Sequence, residues 1–259
     1  MRHIYEQLMK TTIENLYKMA AEVLSAIGLD ISSPKGGLIG IREEHGSDAH
    51  FIISCLLSKY VQAEYNVCFV TLHNTFHHYH NVGMKLGYNL NALKEKGAIK
   101  TIEAMKLVLK DSSYENLKKV LLKEIEDNVE EMLKSDKHVL LIIDDLSHLF
   151  EMEFTLSEIL MLIKQVKSLI YRKPGNYAIL NVHVSSEYDL VVANLVQHSS
   201  NTHVCISPLK TGFSSNVSGK MEISEMNAQT KENLWNKQSL YHYKLHDRFV
   251  KVFAPGLVS

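Results

Sequence analysis

The stretch that decides the fold is Val139-Leu140-Leu141-Ile142-Ile143-Asp144-Asp145. A continuous run of aliphatic residues is typical of a strand that is buried on both faces of a parallel sheet. The two aspartates that follow the run mark the carboxyl end of this strand. The stretch therefore predicts a middle strand of an α/β protein.

Amphipathic helices and further apolar strands alternate on both sides of this stretch. Apolar residues recur at helical spacing in residues 52–60, 117–132 and 159–170. The second and third of these helices are predicted to begin at the capping-box sequences Ser112-x-x-Glu115 and Thr155-x-x-Glu158. Further strands are predicted at residues 38–41, 67–72, 99–102 and 177–184. This alternation indicates βαβ units, and hence a mostly parallel sheet with helices on both faces.

The C-terminal part of the chain has a different pattern, with strands that no helix separates. Strands are predicted at residues 204–207, 220–223 and 240–245, and residues 249–253 return after a tight connection as the second arm of a β-hairpin. A parallel α/β core closed by antiparallel strands is the RecA-like arrangement, a three-layer fold of the P-loop NTPase type. We therefore predict a RecA-like fold.

The N-terminal part reads as an appendage to this fold. Between Ile4 and Ile27 the apolar residues recur at helical spacing, and residues 30–37 contain the Ser, Pro and Gly residues that are typical of a linker. The predicted organisation is an N-terminal helical appendage with its linker at residues 1–35 and a RecA-like domain at residues 36–259.

Composition narrows the range of functions. Hydrophobic residues make up 46% of the 259 residues and charged residues 22%, which is ordinary for a soluble globular protein. The net charge of -1 excludes a strong basic field of the kind that dedicated nucleic-acid binders carry. No apolar run approaches the ~20 residues that cross a bilayer, so no membrane partner is expected.

Targeting and cysteine patterns indicate where the protein works. Residues 1–10 are mixed and polar, which does not resemble a signal peptide. Cys55, Cys68 and Cys205 are scattered, without the C-x-x-C spacing of metal or redox sites. We therefore expect an intracellular protein in a reducing compartment.

The turn after the first strand tests for a nucleotide site. A P-loop ATPase carries G-x-x-x-x-G-K-[ST] at this point, and a later strand ends in an acid that helps to hold Mg²⁺. The one register that keeps a glycine places Gly46 at the second glycine, Ser47 at the lysine and Asp48 at the Ser/Thr position. Asp144, followed by Asp145, is the formal acid of the later strand. These five residues are interpreted as positions of a vestigial nucleotide pocket, with no cofactor and no catalytic residue.

The charged residues near this turn also argue against nucleotide binding. Glu43, Glu44 and Asp48 are predicted to place three carboxylates around a site that would have to hold a polyphosphate, and Arg42 offsets one of them at most. A like-charge contact near 4 Å costs ~1 kcal/mol in water and ~4 kcal/mol at an effective dielectric constant of 20. ATP hydrolysis by this chain alone is therefore not expected.

Two other groups of residues have the composition of catalytic or metal sites. His73, His77, His78 and His80 cluster after the second strand, but no Cys, Asp or Glu lies within that stretch, so a polar loop and helix start is preferred to a metal site. His183, Ser185, Ser186 and Asp189 have the composition of a Ser-His-Asp set, but the G-x-S-x-G elbow is missing. Neither group is assigned a function.

Several stretches resemble one known family, that of the sixth subunit of the Elongator complex. They are VCFVTL at 67–72, TFHHYHNVGMKLG at 75–87, LLIIDDLS at 140–147, SLYHYKLHDR at 239–248 and FAPG at 253–256. The resemblance runs from about Gly37 to the C-terminus and does not cover the N-terminal helix. His77 and His80 depart from the family pattern.

The resemblance implies a RecA-like fold without a working Walker A motif. It also implies assembly with the fourth and fifth Elongator subunits into a heterohexameric ring that binds tRNA. Such a ring supports the catalytic subcomplex in modifying the wobble uridine of tRNA, in the cytoplasm and nucleus. No catalytic residue is carried over to this chain.

Two other hypotheses remain open at this point. One is an active RecA- or recombinase-like ATPase subunit that completes a composite nucleotide site with a neighbour. The other is a free-standing enzyme that uses the histidine cluster. A lysine in the first turn would favour the ATPase, and this sequence has none there.

Overall fold

The computed structural model describes residues 22–29, 35–109, 114–212, 214–226, 235–247 and 249–256. Its strands are β1 (Gly37–Glu44), β2 (Asn66–Thr71), β3 (Ile99–Glu103), β4 (Val139–Ile143), β5 (Tyr177–Val184), β6 (Thr202–Ser207), β7 (Gly219–Met226), β8 (Trp235–Leu245) and β9 (Val250–Phe253). They form one sheet in the order β3-β2-β4-β5-β1-β6-β7-β8-β9.

The sheet is parallel from β3 to β6 and antiparallel from β6 to β9. Strand β4 lies between β2 and β5, so the aliphatic run at 139–143 is a middle strand, as predicted, and all five of its residues are buried. The predicted C-terminal hairpin is confirmed, since β8 pairs with β9 and the His246 N–H donates to the Phe249 carbonyl at 2.8 Å. The predicted combination of a mostly parallel sheet with C-terminal antiparallel strands is therefore confirmed.

The helices connect these strands. They are α1 (His50–Gln62), α2 (Phe76–Lys85), α3 (Leu90–Glu95), α4 (Ala104–Val108), α5 (Tyr114–Leu133), α6 (Leu156–Ile170) and α7 (Glu187–Ser199), with a 3₁₀ helix at Leu146–Leu149. The predicted capping box at α6 is confirmed, because the Thr155 side chain accepts from the Glu158 N–H and the Glu158 carboxylate accepts from the Thr155 N–H. Ser112 and Ser113, which belong to the other predicted box, lie outside the described residues.

Two hydrophobic clusters separate the layers. Alternate residues of β4 point to opposite faces, so Leu140 and Ile142 join one cluster while Leu141 and Ile143 join the other. The first cluster contains the buried faces of α1 and α2, and the second contains those of α5, α6 and α7. Helices therefore cover the parallel sheet on both faces, which is the predicted three-layer architecture.

The described end of the predicted N-terminal helix belongs to the first cluster. Residues 22–27 are helical, and Val23, Leu24 and Ile27 are buried. The Glu22 carboxylate accepts a hydrogen bond from the Val252 N–H of β9 at 3.2 Å. This segment packs on the RecA-like domain, while residues 1–21 and 30–34 of the predicted appendage and linker lie outside the described residues.

Helix α7 was not predicted from the sequence. Its buried side chains include Asp189, Val192, Ala193 and Val196, a spacing that is itself helical. The exposed Tyr188 and Val191 interrupt the apolar pattern along the chain and obscure this signal.

Candidate functional site

The predicted pocket residues lie at the carboxyl edge of the parallel strands, where ligands bind in open α/β sheets. Gly46, Ser47 and Asp48 lie in the turn between β1 and α1, and Asp144 and Asp145 follow β4 directly. Strand β5 lies between the two groups, and its Asn181 side chain donates to the Asp144 carbonyl at 2.9 Å. The five positions therefore share one edge of one sheet.

The turn after β1 is shorter than the P-loop that the alignment with G-x-x-x-x-G-K-[ST] would need. Strand β1 continues past the buried Ile41 to Glu44, so the position of the first P-loop glycine lies inside the strand. Gly46 has a φ of +82°, a left-handed conformation that favours glycine, and the turn alone accounts for its presence. The segment is a tight strand–helix connection and not an open phosphate loop.

The expectation that Glu43, Glu44 and Asp48 all place their carboxylates around one site is wrong. Glu43 is buried inside the strand, Glu44 forms an ion pair with Arg42, and Asp48 forms one with His50 at 2.9 Å. The physical reason is that β1 orients successive side chains to opposite faces, so Glu43 and Glu44 cannot converge on one ligand.

Glu43 places its carboxylate at the start of α1. Its Oε2 accepts from the Ala49 N–H at 3.1 Å, directly before α1, and its Oε1 lies 2.9 Å from Nδ1 of His183. The N-terminus of a helix attracts anions, because its first N–H groups have no partner within the helix. Here a carboxylate of the protein itself uses that position.

The ion pair of Asp48 and His50 adds to this anchoring. The hydrogen bond with His50 lowers the pKa of Asp48. Burial acts to lower the pKa of His50, but its hydrogen bond with Asp48 and the charges of Asp48, Glu43 and Asp144 raise it above the usual value. The Asp48 carboxylate also accepts from the His50 N–H at 2.8 Å, so a second carboxylate of the protein lies at the start of α1.

Ser47 at the lysine position has a structural role. Its hydroxyl lies 2.6 Å from the Glu44 carbonyl and 3.1 Å from the Ile206 carbonyl, and it donates to one of them at a time. These contacts hold the turn against β6. The residue brings no positive charge to the position where a P-loop lysine would bind phosphate.

Asp144 at the Mg²⁺-binding position is fully buried. Its carboxylate accepts from the N–H groups of Leu72, His73 and Asn74 at 2.6, 3.2 and 3.1 Å, and from the Tyr79 hydroxyl at 3.2 Å. Burial raises the pKa of Asp144, and the backbone hydrogen bonds oppose that rise. The side chain joins the end of β2 to the end of β4 and has no free face for a metal–nucleotide complex.

Asp145 is buried as well but is differently engaged. Its Oδ1 accepts from the Ser147 N–H at 3.0 Å, from the Ser147 hydroxyl at 2.8 Å and from the His183 N–H at 3.1 Å. Its Oδ2 faces Nε2 of His148 at 3.7 Å. One oxygen therefore caps the 3₁₀ helix, while the other faces an imidazole.

The structure separates the histidines that cluster in the sequence. His77 and His80 lie on α2 with ring centroids 6.1 Å apart, and burial lowers the pKa of His78. His73 lies at the end of β2 and contacts His148, which the sequence analysis did not single out. The acid that the linear stretch lacks comes from the neighbouring strand, since His73, Asp145 and His148 bring their ligand-type atoms within 4.8 Å of one another.

The structure agrees with the decision to assign no catalytic function to the Ser-His-Asp combination. The Asp189 carboxylate accepts from the N–H and hydroxyl groups of Ser185 and Ser186, and Ser186 caps helix α7. His183 faces Glu43. The two serines and the aspartate therefore begin a helix, while the histidine lies on β5 and contacts Glu43 of β1.

Comparison with known proteins points to one family. The family model described as Elongation complex protein 6 matches residues 22–247. The chain is 29% identical to Elongator complex protein 6 of Drosophila melanogaster, with 93% of this chain and 99% of the relative covered. It is 27% identical to the human Elongator complex protein 6, with 82% and 88% covered. The match to the family model includes residues 22–36, which the resemblance seen in the sequence left out.

Among solved structures, a KaiC-like protein of Pyrococcus horikoshii is similar in fold. It has a TM-score of 0.58 at 14% identity and covers 85% of this chain and 91% of its own. The likeness supports the RecA-like architecture alone. Within the described residues, no helix combines the length and the apolar composition that a membrane span requires.

Proposed function

Because the chain belongs to the Elongation complex protein 6 family, we propose that it is a non-catalytic, structural subunit of the Elongator complex. In this proposal it joins the fourth and fifth Elongator subunits in a heterohexameric ring of RecA-like domains. The ring binds tRNA and supports the catalytic subcomplex during modification of the wobble uridine. It works in the cytoplasm and the nucleus.

One observation supports the non-catalytic part most directly, namely the use of Ser47 and Asp144, at the lysine and Mg²⁺ positions, in hydrogen bonds within the protein. Glu43 lies at the start of α1, the Ser47 hydroxyl bonds to backbone carbonyls, and Asp144 is fully buried with four donors. A pocket used in this way keeps the shape of a RecA-like subunit and loses its phosphate chemistry. This favours a structural role over an ATPase.

The alternative of a composite ATPase has less support. A neighbouring subunit can supply an arginine across an interface, but the phosphate turn itself must hold the nucleotide. Residues 45–49 contain no Lys or Arg, and the guanidinium of Arg42 is paired with Glu44. A nucleotide would therefore meet the carboxylates of Glu43 and Asp48, and this turn offers no Lys or Arg side chain to hold its phosphates.

We expect the isolated chain neither to hydrolyse ATP nor to bind it tightly. We expect a dissociation constant above ~5 mM for ATP. At ~5 mM Mg²⁺–ATP, binding this weak raises the melting temperature of the protein by less than about 1 °C. Differential scanning fluorimetry and a phosphate-release assay measure the two quantities, with an active RecA-type ATPase as the positive control. Turnover that the Asp144→Asn substitution abolishes would contradict this expectation.

Co-purification tests the proposed assembly. We expect a tagged copy of the chain, expressed in the cells it comes from, to recover two sister RecA-like chains in equal amounts. Mass photometry of the purified material should give the mass of a six-subunit particle, against an unrelated protein with the same tag as the control. Recovery of the chain alone, or with itself only, would exclude the proposed ring.

A further inference from the structure

We propose that His73, Asp145 and His148 form a binding site for one divalent transition-metal ion, with zinc as the best match. The three side chains bring one ligand-type atom each into a group whose atoms all lie within 4.8 Å of one another. Two imidazole nitrogens and one carboxylate oxygen are a common protein ligand set for zinc, with a fourth position left to water. The inference is independent of the assembly proposed above.

The backbone that carries these ligands is held in place. His73 follows β2, while Asp145 and His148 follow β4, and these two strands are parallel neighbours. The buried Asp144 carboxylate binds the His73 N–H at 3.2 Å, and Asp145 caps the 3₁₀ helix that carries His148. Both strand ends are therefore fixed relative to each other before any ion binds.

In this structure Nδ1 of His73 and Nε2 of His148 hydrogen-bond to each other, so an ion has to displace the proton that lies between them. Nδ1 of His148 lies 2.9 Å from the Glu151 carboxylate, which only accepts, so Nδ1 carries the proton and Nε2 presents its lone pair. A carboxylate behind a ligating histidine is the usual outer partner in zinc sites. The three donors to Asp145 bind Oδ1, and Oδ2 is the oxygen that faces His148.

The distances between the three ligand atoms fit a small ion if the His73 ring moves. Metal bonds of 2.0–2.2 Å in a tetrahedral site place ligand atoms about 3.4 Å apart. Asp145 Oδ2 and His148 Nε2 are 3.7 Å apart, whereas His73 Nδ1 and His148 Nε2 are 2.5 Å apart. The His73 ring must therefore rotate outward by about 1 Å, and its exposed position allows this.

The ligand set selects the kind of ion. Imidazole suits zinc, copper, nickel and cobalt, whereas Mg²⁺ prefers oxygen ligands and phosphates. The site also differs from the Mg²⁺ position of ATPases, because that position corresponds to Asp144, which the backbone N–H groups of residues 72–74 occupy. A divalent ion on Asp145 would also offset the repulsion between two neighbouring buried carboxylates.

Titration of the full-length, tag-free chain with Zn²⁺ or Co²⁺ alone tests the proposal. We expect one ion per chain, a tetrahedral Co²⁺ absorption spectrum, and no competition from millimolar Mg²⁺. His148→Gln or His73→Gln should weaken Zn²⁺ affinity at least ~100-fold, and Glu151→Gln, which removes only the outer carboxylate, about 10- to 100-fold. The matched control is His77→Gln with His80→Gln, which removes two nearby imidazoles and should leave the affinity unchanged.

Three outcomes would contradict the proposed metal site. Absence of stoichiometric binding, or an unchanged Co²⁺ spectrum in the His73→Gln, His148→Gln double variant, would overturn the site. Loss of binding in the His77→Gln, His80→Gln control would show adventitious binding by surface histidines only. Far-UV circular dichroism checks the fold of each variant, and Glu151→Gln changes an exposed side chain, so its effect on affinity can be measured even if a histidine variant unfolds.

Discussion

Replacement of Asp144 by alanine is expected to lower the free energy of unfolding by about 3–5 kcal/mol. The carboxylate is fully buried and satisfies three backbone N–H groups and the Tyr79 hydroxyl. Each buried donor left without a partner costs about 1–3 kcal/mol, and relief of the buried charge offsets part of the sum. Urea denaturation of the full chain, followed by circular dichroism, measures the change.

Two further variants show whether the effect comes from these bonds. Asp144→Asn keeps the shape of the side chain and one acceptor oxygen. We therefore expect it to lower the free energy of unfolding, but by less than Asp144→Ala does. Asp136→Ala removes an exposed aspartate and should change the free energy of unfolding by no more than ~0.5 kcal/mol. A loss below ~1 kcal/mol for Asp144→Ala would mean that the carboxylate does not hold β2 to β4.

The second large effect concerns tRNA binding by the proposed ring. The net charge of -1 gives the single chain no long-range attraction to a polyanion. In a ring, a few basic side chains from each subunit converge, and many weak phosphate contacts add up. With about one phosphate contact per subunit, affinity should fall on the order of 10³-fold between ~50 and ~200 mM salt.

A fluorescence titration of labelled tRNA against the isolated chain and the reconstituted ring, at both salt concentrations, measures this. We expect the ring to bind with a steep salt dependence and the chain alone to bind little at either concentration. Equal affinity and equal salt dependence for both would place the whole tRNA site on this chain. The shared-surface proposal would then be wrong.

The sequence predicted those parts of the fold that depend on local signals. The aliphatic run of β4 and the Thr155–Glu158 capping box each lie within a few residues, and the structure contains both as predicted. The extent of β1 was underestimated because charged residues usually lie outside strands. Glu43 is nevertheless buried in β1, where the Ala49 N–H and the His183 side chain contact its carboxylate.

The candidate site depended on contacts that no local pattern contains. His73 and His148 are 75 residues apart in the chain, and only the pairing of β2 with β4 brings them together. Likewise, Asp144 resembles the acid of an ATPase in sequence, and only its hydrogen bonds with residues 72–74 show that it is used for structure. The edge of the sheet that carries the candidate site could therefore be predicted from the sequence. The roles of the side chains at that edge could not, because they depend on tertiary contacts.

The hydrogen bond from the Val252 N–H to the Glu22 carboxylate has a consequence for folding during synthesis. It joins residues 230 positions apart, and the helical residues 22–27 share a hydrophobic cluster with the C-terminal strands. The ribosome releases the N-terminal segment first, whereas its hydrogen-bond partner in β9 is among the last residues to emerge. The contacts between this segment and the C-terminal strands can therefore form only when translation is nearly complete.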